Sequence, residues 1–137
     1  MCGDCKLLTD KIITVNENKS TFTLKNPNKR TINKSKIDGC KITSGIRCDW
    51  HFEDATSQQE IFVELKGTDI SHAYSQIETT INSISKNIKT NRAFIVCSRC
   101  PMIDTKIQIL KLKARKKNTK LVIKSAKCVE TIESLIS

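Results

Sequence analysis

Asp49, Glu64 and Lys66 are the residues of this chain whose types and spacing best suit a chemical task. Hydrolysis of a phosphodiester with Mg²⁺ requires carboxylate oxygens to hold the hard cation and a nearby ammonium to position water or steady charge on the phosphate. Glu64 and Lys66 stand two residues apart, so on a strand they leave one face about 7 Å from each other along the chain. With Asp49 on an adjoining strand, two carboxylates come together, an arrangement that is unfavourable unless a cation shares them. Asp49 and Glu64 are therefore the expected ligands of Mg²⁺ or Mn²⁺, the main-chain carbonyl of Leu65 can complete the shell, and Lys66 aligns the attacking hydroxide. The competing reading of the same residues is a solvated strand face carrying a cross-strand ion pair.

The elements that must position these residues can be read from periodicity. Between Lys41 and His51, Ile46, Cys48 and Trp50 alternate with Arg47, Asp49 and His51, which predicts a strand with its apolar set toward the core and Asp49 facing away. Glu53 to Gln59 is polar and suits a loop. A second strand, Glu60 to Lys66, sets Ile61, Val63 and Leu65 on one face and Phe62, Glu64 and Lys66 on the other. Gly67 ends it, Thr68 or Asp69 can cap a helix, and Ile70, Ala73, Ile77, Ile81, Ile84 and Ile88 recur at intervals of three and four. The apolar run Ala93 to Cys97 predicts a central parallel strand covered on both faces.

From Asp104 to Lys117 a basic helix is the preferred reading, although Ile107, Ile109, Leu110, Leu112 and Ala114 also permit a strand. Lys120 to Lys124 reads as a strand and Val129 to Ile136 as a short terminal helix. The first forty residues hold a strand-like piece, Thr21 to Leu24, and a turn at Asn26-Pro27-Asn28, and are expected to frame the core. One α/β domain over residues 1–137 is expected, with 1–40 as the N-terminal frame, 41–100 as a catalytic core and 101–137 as a basic C-terminal part.

Cys48-Asp49, a loop, and then Ile61-Phe62-Val63-Glu64-Leu65-Lys66-Gly67 resemble the Asp…Glu-X-Lys core of the PD-(D/E)XK nuclease superfamily. Ala73-Tyr74-Ser75-Gln76 resembles the helix of its RecB-like branch, and the order of strand, strand, helix and strand is similar to a Holliday-junction-resolvase-like core. The likeness runs from Ile46 to Cys97. It implies a restriction-endonuclease-like αβββαβ core, a mixed central sheet flanked by helices, and a metal-dependent endo- or exonuclease with DNA as substrate. It also adds Gln76 to Asp49, Glu64 and Lys66 in the catalytic set. Three positions depart from the pattern: Cys48 stands in place of proline, Thr80 in place of the RecB-like tyrosine, and no first-helix glutamate is evident. Glu17 and Asp38 remain as candidates for a third acid. For His72, one turn before Gln76, an exposed helix position is the preferred reading and a place facing the same cleft the alternative.

With 24 Lys and Arg against 14 Asp and Glu in 137 residues, the net charge of +10 calls for a polyanionic partner, nucleic acid first among them. Nine of those cations lie between Lys106 and Lys127 with no acid among them. Lys106, Lys111, Lys113, Arg115, Lys116 and Lys117 are the expected phosphate contacts, the alternative being a solvated face. Four Phe, one Tyr and one Trp are few for base stacking, so backbone contact is expected rather than sequence reading. Duplex, single strand, junction and RNA all stay open as substrates, as do a homodimer and a partner subunit. The same charge suits a catalytically inactive nucleic-acid-binding module or a small protein-binding or inhibitory factor.

Seven cysteines without a secretory signal indicate a reducing, cytoplasmic compartment rather than a disulfide framework. No apolar run approaches the length of about 20 residues needed to span a membrane. Cys2-Gly3-Asp4-Cys5 and Cys97-Ser98-Arg99-Cys100 have metal-ligand spacing, and Cys2, Cys5, Cys97 and Cys100 together could hold a structural Zn²⁺ or an iron-sulfur cluster. Cys40, Cys48 and Cys128 are read as packing residues.

Overall fold

The structure is a computed structural model that describes residues 6–17, 19–37, 48–66, 68–99 and 104–136. In chain order its elements are β1 (Lys6–Leu8), β2 (Ile12–Glu17), β3 (Ser20–Lys25), β4 (Ile32–Lys36), β5 (Trp50–Asp54), β6 (Glu60–Lys66) and α1 (Ile70–Ile84). They are followed by β7 (Asn91–Cys97), α2 (Asp104–Lys116), β8 (Thr119–Ser125), β9 (Lys127–Thr131) and α3 (Ile132–Ile136). Six strands form a mixed sheet in the order β1-β4-β5-β6-β7-β8, and a smaller sheet has the order β2-β3-β9. Pairing is antiparallel from β1 through β4 and β5 to β6, then parallel through β7 and β8. The parallel pairs need long crossovers, and α1 and α2 supply them.

The two-residue period of β6 sorts its side chains between two cores. Ile61, Val63 and Leu65 join Phe52, Phe94 and Val96 under Ile13, Val15, Phe22 and Leu24 of the smaller sheet. Phe22 lies 5.1 Å from Phe94 and 5.9 Å from Phe52, ring centre to ring centre, so the small sheet is anchored by aromatic packing. On the other face Phe62, Ala93, Ile95 and Cys97 lie under Ile70, Ala73, Ile77 and Ile81 of α1 and Leu110 and Ala114 of α2. β7 is thus buried on both faces, as its unbroken apolar run requires. α1 starts where the Asp69 carboxylate accepts the His72 N–H at 3.0 Å and ends at Ser85, whose backbone turns extended.

Several expectations change. Of the strand expected over Lys41 to His51, residues 41–47 lie outside the described residues, and β5 begins only at Trp50. It continues through Glu53 and Asp54, which therefore belong to the strand and not to a loop. His51 does not face water: it is 2% exposed and meets Glu60 at 2.9 Å, because both point to the α1 side of adjacent strands. The first forty residues contribute core side chains and two of the three strands of the second sheet, β2 and β3. Val129 to Thr131, expected to open the terminal helix, instead belong to β9, which pairs in parallel with β3 and where the β-branched Val129 and Thr131 suit a ladder; the helix starts at Ile132. Ile88 lies beyond α1 and is exposed. Helices do not flank both faces equally. α1 and α2 cover one, whereas β2-β3-β9 and the five-residue α3 cover the other, and among the described residues no helix precedes β6. The basic helix is as expected, with its apolar Ile107, Leu110 and Ala114 turned inward. No helix among the described residues is long and apolar enough to cross a membrane.

Candidate active site

The approach to β5 is pinned from two sides. The Cys48 N–H donates to Thr80 Oγ1 at 2.7 Å, and that hydroxyl donates to the Gln76 carbonyl one turn earlier in α1 at 2.8 Å. The Ile37 N–H donates to the Asp49 carbonyl at 3.0 Å, tying the same segment to the end of β4. Held this way, Asp49 accepts the Leu65 N–H on Oδ2 at 2.8 Å, which sets its carboxylate beside the peptide that joins Glu64 to Leu65. Glu64 is 2% exposed on the α1 face of β6. Burial is the main reason the Cys48 thiol is pushed far above its ordinary range, and the charges of Glu64 and Asp49 add to it, with the Thr80 hydrogen bond opposing. Lys66 occupies the next position along β6, opposite Cys97 in the ladder, and its side chain lies outside the described residues.

A hollow of about 260 Å³ opens beside Asp49, lined also by Asn16, Glu17, Lys36 and Trp50. The β2-β3 hairpin therefore brings Glu17, a candidate third acid, to the edge of the site, while Asp38 lies outside the described residues. Lys34 Nζ stands 4.9 Å over the Trp50 ring. Gln76 is half-buried on α1, four residues before Thr80 and so on the same stripe. His72 is exposed in the first turn.

Asp49, Glu64 and the Leu65 carbonyl are hard oxygen donors, a set that fits Mg²⁺ or Mn²⁺ better than a soft metal. Among the described residues no group of three or more His, Cys, Asp or Glu side chains is gathered as a metal cluster. Cys97 is fully buried at the end of β7, and its supposed partners Cys2, Cys5 and Cys100 lie outside the described residues, as does Cys40. Cys48 and Cys128 are buried free thiols, as packing residues should be.

The expected phosphate contacts are not all near Asp49. α2 runs back from the C-terminal end of β7 to the N-terminal end of β8, so Lys106 lies at the site's end of the sheet, whereas Arg115, Lys116 and Lys117 lie at the other. Lys111 and Lys113 fall between. At that far end the β7–β8 ladder sets Arg92 opposite Lys120, beside Lys89. Of these, Lys89 and Arg92 were not singled out in the sequence, and Lys120 only as one of the nine cations between Lys106 and Lys127. Nothing local in the chain signals that Lys89 and Lys120, thirty-one positions apart, share one hollow.

Thr80 was also missed as a positioning residue. Thr80→Val should leave the buried Cys48 N–H without its acceptor and cost about 1–3 kcal/mol, while Thr80→Ser should melt close to the parent. Equal melting temperatures for the two variants would show that this hydrogen bond does not hold the Asp49 segment. Comparison of the chain with protein families, with curated proteins and with solved structures returned no match.

Proposed function

We propose that this chain is a metal-dependent nuclease of the PD-(D/E)XK type that hydrolyses phosphodiester bonds in DNA. The observation that carries the reading is the Asp49 carboxylate held by the Leu65 N–H next to buried Glu64. It is supported by the order of elements, since the antiparallel β4-β5-β6 meander, the α1 crossover and parallel β7 agree with the later elements of an αβββαβ core. The net charge of +10 fits a polyanionic substrate.

A bound divalent cation would supply a hydroxide at neutral pH and charge neutralisation at the phosphate. The chain's own part is to present Asp49 and Glu64 as its oxygen ligands, with the Leu65 N–H fixing the Asp49 carboxylate and burial keeping Glu64 from being solvated elsewhere. Lys66 aligns the attacking oxygen, and Gln76 acts from the α1 side. Supercoiled plasmid and labelled single- and double-stranded oligonucleotides, incubated with Mg²⁺, Mn²⁺ or EDTA, test this. Cleavage is expected with either metal and its loss with EDTA. Absence of cleavage on every substrate, or cleavage indifferent to EDTA, refutes it.

A further inference from the structure

Two adjoining hollows open at the N-terminal edge of the parallel strands, at the end of the sheet away from Asp49. One, of about 480 Å³, is lined by Lys111 and Arg115 of α2 with Thr119 and Leu121 of β8. The other, of about 610 Å³, is lined by Lys89, Arg92, Gln59 and Ile88, and the two share Thr90, Asn118 and Lys120. Five cations from four segments of the chain therefore converge, and among the described residues no carboxylate lines either hollow. Glu130 lines a third hollow together with Arg92 and Lys120. Arg92 Nε is buried and finds no hydrogen-bond partner. Like charges gathered without a counter-charge repel one another, and an anion with several acceptor oxygens relieves that repulsion.

We propose that this cleft is a second nucleic-acid contact, in which Lys89, Arg92, Lys111, Arg115 and Lys120 seat backbone phosphates of the strand that enters the candidate active site. The assignment rests on the reading of DNA as substrate. Arg92 lies three residues along β7 from Ile95, the ladder partner of Glu64, which is about 10 Å at strand rise, but alternation turns Arg92 to the small-sheet face and Ile95 to the α1 face, so a nucleic acid that reaches both sites passes round the end of the sheet. Neither cavity has an aromatic lining, so the contact is to backbone and insensitive to sequence.

The test is the salt dependence of affinity for a 20-base-pair duplex of arbitrary sequence, measured in EDTA so that cleavage plays no part. Lys111→Gln with Lys120→Gln should reduce the magnitude of the slope of log K against log salt by about 1.8, since each phosphate contact contributes about 0.9. The same positions changed to Arg should restore it. Lys6→Gln with Lys11→Gln makes the same change in net charge near the opposite edge of the sheet and should leave the slope unaltered. A slope unchanged in the cleft variant, or changed equally in both, overturns the proposal. The nuclease reading fails separately: a parent protein that binds with a cleft-dependent slope but cuts nothing with Mg²⁺ loses the activity and keeps the cleft.

Discussion

Asp49→Asn, Glu64→Gln and Lys66→Ala are each expected to slow DNA cleavage by on the order of 100-fold or more while leaving a folded protein. The loss should fall on kcat more than on KM, because a charge that acts on the transition state is removed while the proposed phosphate contacts on α2 and β8 are left intact. Asparagine keeps a side-chain oxygen that can accept the Leu65 N–H, so the segment before β5 should hold its place. Glutamine is isosteric with Glu64, which is only 2% exposed, and it removes a buried charge that lies near a second carboxylate. In EDTA, Glu64→Gln should therefore melt no lower than the parent. Mg²⁺ should raise the melting temperature of the parent and not of the variant, since only a state that binds the cation gains from it. Single-turnover cleavage and thermal melts with and without Mg²⁺ read both effects. Full activity in any one variant removes that residue from the site, and a Mg²⁺-dependent rise retained in both carboxylate variants removes the metal.

What could be read in advance followed the strength of local periodicity. β6 and α1 came out nearly as expected because alternation in one and the recurrence of isoleucine in the other each bury a whole face, which leaves no competing register. The site residues on β6 were legible for the same reason. Asp49 was legible by type, but its setting was not: the contacts that hold it come from Ile37, Leu65 and Thr80, distant in sequence and joined only by the sheet and the α1 crossover. The polar, Asn-rich and Lys-rich first forty residues concealed a second sheet, because its inward residues, Ile13, Val15, Phe22 and Leu24, are short alternations separated by turns. β9 was misread because Val129 to Ile136 satisfies a helical spacing, while its strand partner β3 lies about a hundred residues earlier. The basic string was visible as composition, yet its division between the two ends of the sheet depends on the direction of α2.

Asp54, the last residue of β5, should behave in the opposite way to Asp49. Asp54 is fully buried and receives both arms of the Arg30 guanidinium, Nε on Oδ1 at 2.9 Å and Nη2 on Oδ2 at 2.8 Å, together with the Ser57 N–H at 2.8 Å. Burial by itself would raise its pKa, but the hydrogen bonds from Arg30 and Ser57 together outweigh burial and bring it from 3.8 down to about 2. The pair joins the turn before β4 to the end of β5, and Asn26 braces it by accepting the Arg30 N–H at 3.0 Å. Asp54→Ala should cost on the order of 3 kcal/mol, at the low end for a buried pair because Arg30 is 26% exposed and can be rehydrated. A depressed carboxylate stabilises the fold above its unfolded pKa and loses that contribution as pH falls through its folded one. The stability gap between parent and Asp54→Asn should thus be constant above about pH 5 and narrow by about 2 kcal/mol on descending toward pH 2. Urea melts across that range read the gap, and a gap independent of pH would show that Arg30 does not hold this carboxylate ionised. Below the melting temperature of the variant, metal-dependent cleavage should continue at the parent rate. Asp54 lies at the far end of β5 from Asp49, and its pair with Arg30 ties that end of the strand to the turn before β4.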